Sequence, residues 1–471
     1  MTLALKAKKI LVLGLGDTGM SMTRWLARRG ADVSVADTRA APPYAPQLAQ
    51  ELPQVRLRTG AFQRGDFDGA DMIAVSPGID PRTGELAAAI QRGMPVVGDV
   101  ELFAQALRAR QSTARLIAIT GSNGKSTVTA MCGDMCTAAG MDTVVAGNIG
   151  LPVLDVMTQI DDGKRVPDAL VLELSSFQLE ATSSLEPDAA TLLNLCEDHM
   201  DRYDSFADYG AAKARIFTGM NKSADKKTGV QVLNRDDAHS LAAARPGLTF
   251  ASFGFSAPLS DYEWGLAGDP LSLQLARDDT ALMPVAELPL AGLHNAANAL
   301  AAGALCHAIG VPDDALVRAL RAFKGLPHRV EEVNKIKEIT FYDDSKGTNV
   351  GATVAALNGM QQPVVLIVGG DGKGQDFSPL AVSVAGRARA VVLIGRDAPL
   401  IERALQGTRI PLLRAADMSE AVAAAYGAAR AGDAVVLSPA CASYDMFRNY
   451  VHRAEVFVAA VQQLAARLSR E

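Results

Sequence analysis

At 471 residues the chain exceeds what one hydrophobic core serves, and its length is that of about three domains. Apolar residues make up 49% and the formal net charge is −6, which excludes extensive disorder and a generally basic surface. No nucleic-acid partner is expected, although a local basic pocket for an anionic substrate stays open.

The N-terminal stretch Met1 to Lys9 runs straight into a strand signal without the apolar core and cleavage site of a signal peptide, and no apolar run approaches the roughly 18 residues of a spanning helix. Cys132, Cys136, Cys196, Cys306 and Cys441 lack C-x-x-C spacing, so neither a disulfide framework nor a zinc site is indicated. A cytoplasmic protein with no membrane partner is expected.

Residues 1–104 read as a first domain. Ile10-Leu-Val-Leu13 is a buried strand, Gly14-Leu-Gly16-Asp-Thr-Gly19 its turn, Met20 to Arg29 a helix stopped at Gly30, and Val33-Ser-Val-Ala-Asp37 a second strand. Asp37 lies roughly 20 residues beyond the Gly-rich turn, where a ribose-binding acid stands in Rossmann-type units. The pattern fits a nucleotide diphosphate, a nicotinamide cofactor included. Met72-Ile-Ala-Val75 then ends in Ser76-Pro-Gly78, either a ligand-facing strand end or an ordinary turn.

Residues 105–325 read as a central domain organised around Leu116-Ile-Ala-Ile-Thr-Gly-Ser-Asn-Gly-Lys-Ser-Thr127, an apolar run entering a Gly-rich turn and then a helix. This is a phosphate-binding loop. Gly121 and Gly124 let the backbone turn its N–H groups inward, Lys125 reaches outer phosphates, and Ser126 or Thr127 can hold Mg²⁺ beside the helix N-terminus. The strict pattern asks for Gly where Ile119 stands, so the loop is a variant.

Strand signals follow at Thr143-Val-Val-Ala146, Ala169-Leu-Val-Leu172, Ala189 to Leu195 and Val230-Gln-Val-Leu233, with polar groups at their ends. Glu173 follows an apolar run, where a carboxylate is costly unless a metal or cation meets it. His199 lies on the same predicted edge, in the acid-rich Glu197-Asp-His-Met-Asp-Arg202. Ser205-Phe-Ala-Asp208 resembles a capping box, and on the helix after it Lys213 shares a face with Tyr209 and Phe217. That lysine either snorkels to water or is desolvated to a neutral amine able to take up carbon dioxide. Asn295 and Asn298, on one face of an Ala-rich helix, suit a base edge, while Asn295 equally suits a cap.

Residues 326–471 read as a third α/β unit, with strands at Ile339 to Tyr342, Val364 to Val368, Ala390 to Ile394 and Ala434 to Leu437. The polar segments at their ends supply Lys346, Thr348, Lys373 and Ser443, hydroxyls and cations suited to a small substrate with more than one carboxylate.

Together, Thr120 to Thr127, Gly147-Asn-Ile-Gly150, Glu173-Leu-Ser-Ser176, Asn194 to Asp201, His294-Asn-Ala-Ala-Asn298 and Asp344-Ser-Lys-Gly-Thr-Asn349 resemble the Mur ligases over the whole chain. Asp198-His-Met-Asp-Arg-Tyr203, Tyr209-Gly-Ala-Ala-Lys213 and Ser438 to Phe447 are similar to the members that add D-glutamate. The resemblance implies an α/β fold of three domains: a Rossmann-like N-terminal domain, a P-loop-type central ATPase and a Rossmann-like C-terminal domain. It implies an ATP-dependent ligase that joins D-glutamate to UDP-N-acetylmuramoyl-L-alanine through an acyl phosphate, in peptidoglycan precursor synthesis and hence cell-wall growth, cell shape and division. A monomer whose hinge near residue 325 closes over three substrates is expected.

By the same resemblance Asp17, Thr18, Asp37, Thr38, Arg39, Gly78, Asn148 and Ser175 would serve the UDP substrate. Gly121, Ser122, Asn123, Gly124, Lys125, Ser126, Thr127, Asn295, Asn298, Arg329 and Asp344 would hold ATP. Ser126, Thr127, Glu173, His199 and a carbamylated Lys213 would hold two Mg²⁺ ions, with Lys125, His199 and Lys213 as the catalytic set. Lys346, Thr348, Lys373, Ser443 and Tyr450 would surround D-glutamate; the family has Phe at position 450, which limits Tyr450 to shape or main-chain contact. The rivals are a ligase for another amino acid, an NAD-dependent oxidoreductase, which leaves Lys125 and the Mg²⁺ set unexplained, and a non-catalytic nucleotide switch.

Overall fold

The structure, a computed structural model, describes residues 5–220, 229–269, 272–290 and 292–470; the first four residues of the N-terminal stretch lie outside them. Three separate sheets form among the described residues. The first holds β1 (Lys9–Leu13), β2 (Asp32–Asp37), β3 (Arg56–Thr59), β4 (Met72–Val75) and β5 (Val96–Val97), all parallel in the order β3-β2-β1-β4-β5. This is the doubly wound order, with its switch point between β1 and β4.

The central sheet holds β6 (Arg115–Thr120), β7 (Thr143–Gly147), β8 (Ala169–Glu173), β9 (Ala189–Leu192), β10 (Val230–Asn234), β11 (Thr249–Phe253), β12 (Glu263–Ala267), β13 (Gln274–Arg277) and β14 (Thr280–Pro284). Its order is β14-β13-β12-β11-β10-β9-β6-β8-β7, parallel except for the antiparallel pairs β12–β13 and β13–β14. The third sheet holds β15 (Glu331–Ile336), β16 (Ile339–Asp343), β17 (Val364–Gly369), β18 (Ala388–Ile394), β19 (Leu412–Arg414) and β20 (Ala434–Leu437), in the order β15-β16-β20-β17-β18-β19 with β15 antiparallel to β16.

Several element ends differ from the sequence reading, each for a local reason. The first helix runs Asp17–Arg28 and starts earlier than Met20, because Gly16 precedes it and Asp17 favours the positive helix end. The strand read to Leu195 ends at Leu192, since the chain beyond it turns beneath the phosphate loop, where Asn194 O accepts from Ser122 N at 2.9 Å. Helix Leu293–Ala308 starts after Gly292 at φ +95°, so Asn295 lies inside the first turn and is not its cap. Ser205 does cap helix Phe206–Ala214: its Oγ accepts from Asp208 N.

Two helices lock the first sheet's unit to the central one. Ser21 Oγ of helix Asp17–Arg28 donates to Asp155 Oδ1 of helix Val153–Asp161 at 2.7 Å, and Arg29 Nη2 meets Asp161 Oδ2 at 2.8 Å. One apolar cluster runs through both, from Trp25 and Leu26 to Val153 and Met157. The C-terminal unit meets the central one mainly through polar side chains that close on the phosphate loop.

Helix Leu293–Ala308 packs on the central sheet at Gly303, where an added Cβ would lie 2.5 Å from Cζ3 of the buried Trp264. Ala gains about 1 kcal/mol over Gly in a helix interior, but forcing a methyl into a packed core costs about 1–3 kcal/mol. The buried indole cannot swing aside, so Gly303→Ala is expected to lower stability by up to about 2 kcal/mol, read by urea denaturation. A more stable variant would show that the helix shifts freely on β12.

Candidate functional site

The phosphate loop joins β6 to helix Lys125–Ala138. Gly121 at φ +150° and Gly124 at φ +83° hold backbone that L-residues avoid, and a Cβ on Gly124 would lie 2.5 Å from Asn298 Oδ1. Helix Leu293–Ala308 therefore presses Asn298 against the loop.

Two lysines converge on one oxygen. Lys125 Nζ donates to Gly121 O at 2.8 Å and to Ser122 O at 2.9 Å, and Lys213 Nζ donates to the same Gly121 O at 2.9 Å. Lys213 is 2% exposed, with its amine 4.8 Å from the Tyr209 ring centroid, so it does not snorkel to water. Burial lowers both amines, and Lys125 lowers Lys213 further, well below the usual range.

Glu173, the last residue of β8, is 1% exposed. Its Oε1 accepts from Asn148 Nδ2 at 2.7 Å, while Oε2 is buried with no partner among the described residues. Such an oxygen calls for a cation. Its charge acts on Lys125, Lys213, Arg329 and Lys346, so it sits where the central and C-terminal units face each other. Ser126 and Thr127 are buried beside the loop, and Ser126 Oγ accepts from Arg329 Nη2 at 3.2 Å. Ser126, Thr127 and the open Glu173 oxygen offer ligand atoms of the kind a hard divalent ion takes.

His199 sits at φ +59° with its ring 4.7 Å from that of Phe177. Burial pushes it down to about 4 against the pull of Asp198, so it is neutral at neutral pH. Burial would raise Asp198, but Lys373 and His199 outweigh it and hold that carboxyl at about 2.

Asn295, Asn298, Arg329 and Asp344 line one cavity with Asn123, Gly124 and Thr127, between the central and C-terminal units. Asn298 Nδ2 donates to Asn295 Oδ1 at 3.3 Å. Burial raises Asp344 to about 7, against the hydrogen bond from Ser438 Oγ at 2.6 Å.

Asp17, Thr18, Asp37, Thr38, Arg39, Gly78 and Asn148 line a second cavity of about 1000 Å³ at the switch point of the first sheet. Asp37 organises its rim: Oδ2 accepts from Leu15 N at 2.7 Å, and Oδ1 from Arg39 N at 2.8 Å. Ser175 is used differently, as the cap of helix Ser176–Glu180, where its Oγ accepts from Gln178 N at 3.2 Å.

In the C-terminal unit, the Lys346 amine lies 5.6 Å from the Tyr450 ring centroid, and burial lowers it to about 8. Thr348 is half-buried and Ser443 buried. Lys373, at φ +51°, pairs with Asp198 across the cleft.

Sequence reasoning gave no role to Asp198, Asn349, Tyr209 or Tyr444. Asn349 Nδ2 bridges Asn123 Oδ1 at 3.1 Å and Asp198 Oδ2 at 3.3 Å, and Tyr209 OH meets Ser122 Oγ at 3.1 Å. Tyr444, exposed on the C-terminal unit, lines the large cavity of the first sheet. All four stand inside the motifs already singled out, but their partners lie far off in sequence.

Family models cover most of the chain: "Mur ligase MurD-like, N-terminal domain" matches residues 8–98, "Mur ligase middle domain" 119–306 and "Mur ligase, glutamate ligase domain" 328–441. The UDP-N-acetylmuramoylalanine--D-glutamate ligase of Thiobacillus denitrificans is 57% identical, with 98% of each chain covered. That of Methylobacillus flagellatus is 56% identical, again with 98% of each covered. Among solved structures, MurF from Acinetobacter baumannii aligns with TM-score 0.61 at 18% identity over 97% of this chain and 91% of its own. UDP-N-acetylmuramate-alanine ligase MurC from Thermotoga maritima gives 0.60 at 17% identity over 97% and 99%. These two carry the fold alone.

The low His199 value has a consequence for stability. Its folded value of about 4 lies below the usual unfolded value of about 6.5, so the neutral ring favours the fold above pH 6.5 and that contribution is lost as pH falls toward 4. His199→Ala is expected to flatten the slope of the urea midpoint against pH between about 6.5 and 4. An unchanged slope would mean that His199 protonates in the fold as it does in water.

Proposed function

The chain belongs to the Mur ligase family, and we infer that it joins D-glutamate to UDP-N-acetylmuramoyl-L-alanine, converting ATP to ADP and phosphate in the synthesis of peptidoglycan precursors. Whole-length identity of 57% to a D-glutamate ligase carries the reading. It leaves no role for a nicotinamide cofactor in the Gly14 to Gly19 turn. Residues 1–104 would bind the UDP substrate, 105–325 ATP and 326–471 the amino acid.

In this reading the loop from Gly121 to Thr127 wraps the ATP phosphates, and Lys125 leaves its backbone acceptors to neutralise them. Asn295 and Asn298 face the base, while Arg329 and Asp344 approach from the C-terminal unit. The UDP substrate takes the large cavity with Asp17, Thr18, Asp37, Thr38, Arg39, Gly78 and Asn148, and Ser175 supports it as a helix cap. Lys346, Thr348, Lys373, Ser443 and the Tyr450 ring receive D-glutamate, whose carboxylate replaces Asp198 as the partner of Lys373. One chain supplies all three sites, which supports a monomer, and both nucleotide substrates belong to the cytoplasm.

The L-alanyl carboxylate oxygen attacks the γ-phosphorus as the bond to the ADP oxygen breaks, giving an acyl phosphate. The neutral amine of D-glutamate then attacks the acyl carbon, an amide forms, and phosphate leaves with the proton lost from nitrogen. Both partners of the first step are anions, and Lys125 beside Gly121 offsets their repulsion. Ser126, Thr127, Glu173, His199 and Lys213 would hold two Mg²⁺, which supply further charge neutralisation at the transferring phosphoryl group. The open Glu173 Oε2 and the neutral His199 support this set. Lys213 joins it as a carbamate: its buried, depressed amine is the neutral nucleophile that carbon dioxide needs, and loss of one proton from nitrogen leaves an anionic carbamate able to bind a metal.

Phosphate release is the first test. Release from ATP and Mg²⁺ should require both UDP-N-acetylmuramoyl-L-alanine and D-glutamate, with L-glutamate, L-lysine and meso-diaminopimelate inactive; release with one of these instead would overturn the amino-acid assignment. For the carbamate, Lys213→Ala should lose at least about 100-fold in kcat, as expected when a group stabilising the transition state is removed. Acetate or formate should restore part of it, and ¹³C-bicarbonate should give the wild type a carbamate resonance that the variant lacks. Neither rescue nor resonance would leave Lys213 as a plain amine.

A further inference from the structure

His328 ends the linker between the central and C-terminal units, next to Arg329, whose Nη2 donates to Ser126 Oγ of the phosphate loop at 3.2 Å. Its backbone lies in the left-handed region at φ +63° and is held from two sides: N donates to Glu331 Oε2 at 2.9 Å, and O accepts from Lys346 N at 3.2 Å. Its ring centroid is 6.1 Å from that of Tyr450, and the Lys346 amine is 5.6 Å from the same Tyr450 centroid. The imidazole therefore stands between a contact to the phosphate loop and two of the residues assigned to D-glutamate, where an amine has to meet an acyl phosphate.

A buried carboxylate orients the ring. Nδ1 is 2.7 Å from Oδ2 of Asp343, the last residue of β16, which is 1% exposed. Ser345 N and Oγ donate to Asp343 Oδ1 at 2.9 and 2.5 Å, which favours the ionised, accepting carboxylate. Nδ1 is then the donor and Nε2 keeps its lone pair. No described residue bonds Nε2, and that atom is open to solvent on a side chain that is 25% exposed. An accessible ring nitrogen whose partner nitrogen is fixed by a carboxylate is the arrangement of a general base.

We propose, on the D-glutamate reading of the site, that His328 is the base of amide formation: Nε2 takes a proton from the D-glutamate ammonium, and Asp343 offsets the charge the ring gains. The freed lone pair forms the C–N bond as the acyl C–O bond to phosphate breaks. Phosphate leaves with the second proton that nitrogen loses, and the imidazolium returns its own to water. Asp343, Glu331, Arg329 and Lys346 are the charged groups around the ring. Both carboxylates already accept local N–H groups, Arg329 is a cation, and Lys346, lowered by burial to about 8, is mostly charged at pH 7.

The test is kcat/KM for D-glutamate, read by phosphate release between pH 7 and about 9.5 with ATP and UDP-N-acetylmuramoyl-L-alanine saturating. His328→Asn, which tolerates the left-handed backbone, should lose about 100-fold at pH 7, the scale of a general base. That loss should shrink at least about tenfold by the alkaline end, because solvent then deprotonates the ammonium unaided. Lys346 titrates in both proteins, so the ratio of variant to wild type isolates His328. KM for ATP and for the UDP substrate should stay within about threefold. Asp343→Asn can offer an N–H to Nδ1 and so place the ring proton on Nε2; it should show the same trend with a smaller loss, and it serves if His328→Asn does not fold. A loss below about fivefold, or one equal at every pH, would overturn the base. A wild type that releases no phosphate with D-glutamate would overturn the D-glutamate reading, and the base with it.

Discussion

The carbonyl oxygen of Gly121 accepts from two buried lysine amines, and much of the central unit follows from that arrangement. Gly121 reaches it with φ at +150°, a value that side-chain-bearing residues rarely adopt. Burial away from water makes each amine give up its proton more readily than it would in solution, and the charge of Lys125 lowers Lys213 further. Negative charge brought to the loop would pair with these amines and offset the cost of their burial.

Several contacts between the units gather at the same loop. Arg329 reaches Ser126, Asn349 reaches Asn123 and Asp198, and Lys373 pairs with Asp198, so each of these contacts from the C-terminal unit ends on or next to the phosphate loop. Polar contacts of this kind can exchange partners when substrates arrive, whereas the apolar cluster joining Trp25 to Met157 cannot. The linker from Phe323 to His328, with Gly325 at φ +82°, is the natural place for the C-terminal unit to turn.

The parts of this architecture that rest on local pattern were legible in the sequence. The phosphate loop, the strand ends at Glu173 and Asp343, and the helix cap at Ser205 depend on neighbours a few positions away. What escaped depends on distant partners. Strands β11 to β14 are short, and two of their pairings are antiparallel within an otherwise parallel sheet, so neither a long apolar run nor a helical period announces them. The role of Asp198 depends on Lys373, which is 175 positions away. Lys213 could be read as snorkelling or desolvated until Tyr209 and Gly121 closed around its amine. Ser175 was expected among the UDP-substrate contacts, and its use as a helix cap needed the Gln178 partner.

Glu173 and Asp99 illustrate how surroundings divide two similar groups. Each is a carboxylate almost wholly buried, with one oxygen paired to an amide side chain and the other left open. Around Glu173 stand cations from both units, and the neighbouring donors are hydroxyls and an imidazole, so the open oxygen belongs to a shell that a small, highly charged ion can complete. Asp99 instead opens helix Asp99–Ala109, where the backbone N–H groups of Asp99 and Val100 meet its carboxylate and Gln178 donates to it at 3.3 Å. An open oxygen marks a site only where the atoms around it would complete a ligand's shell, and the helix start leaves Asp99 none to complete.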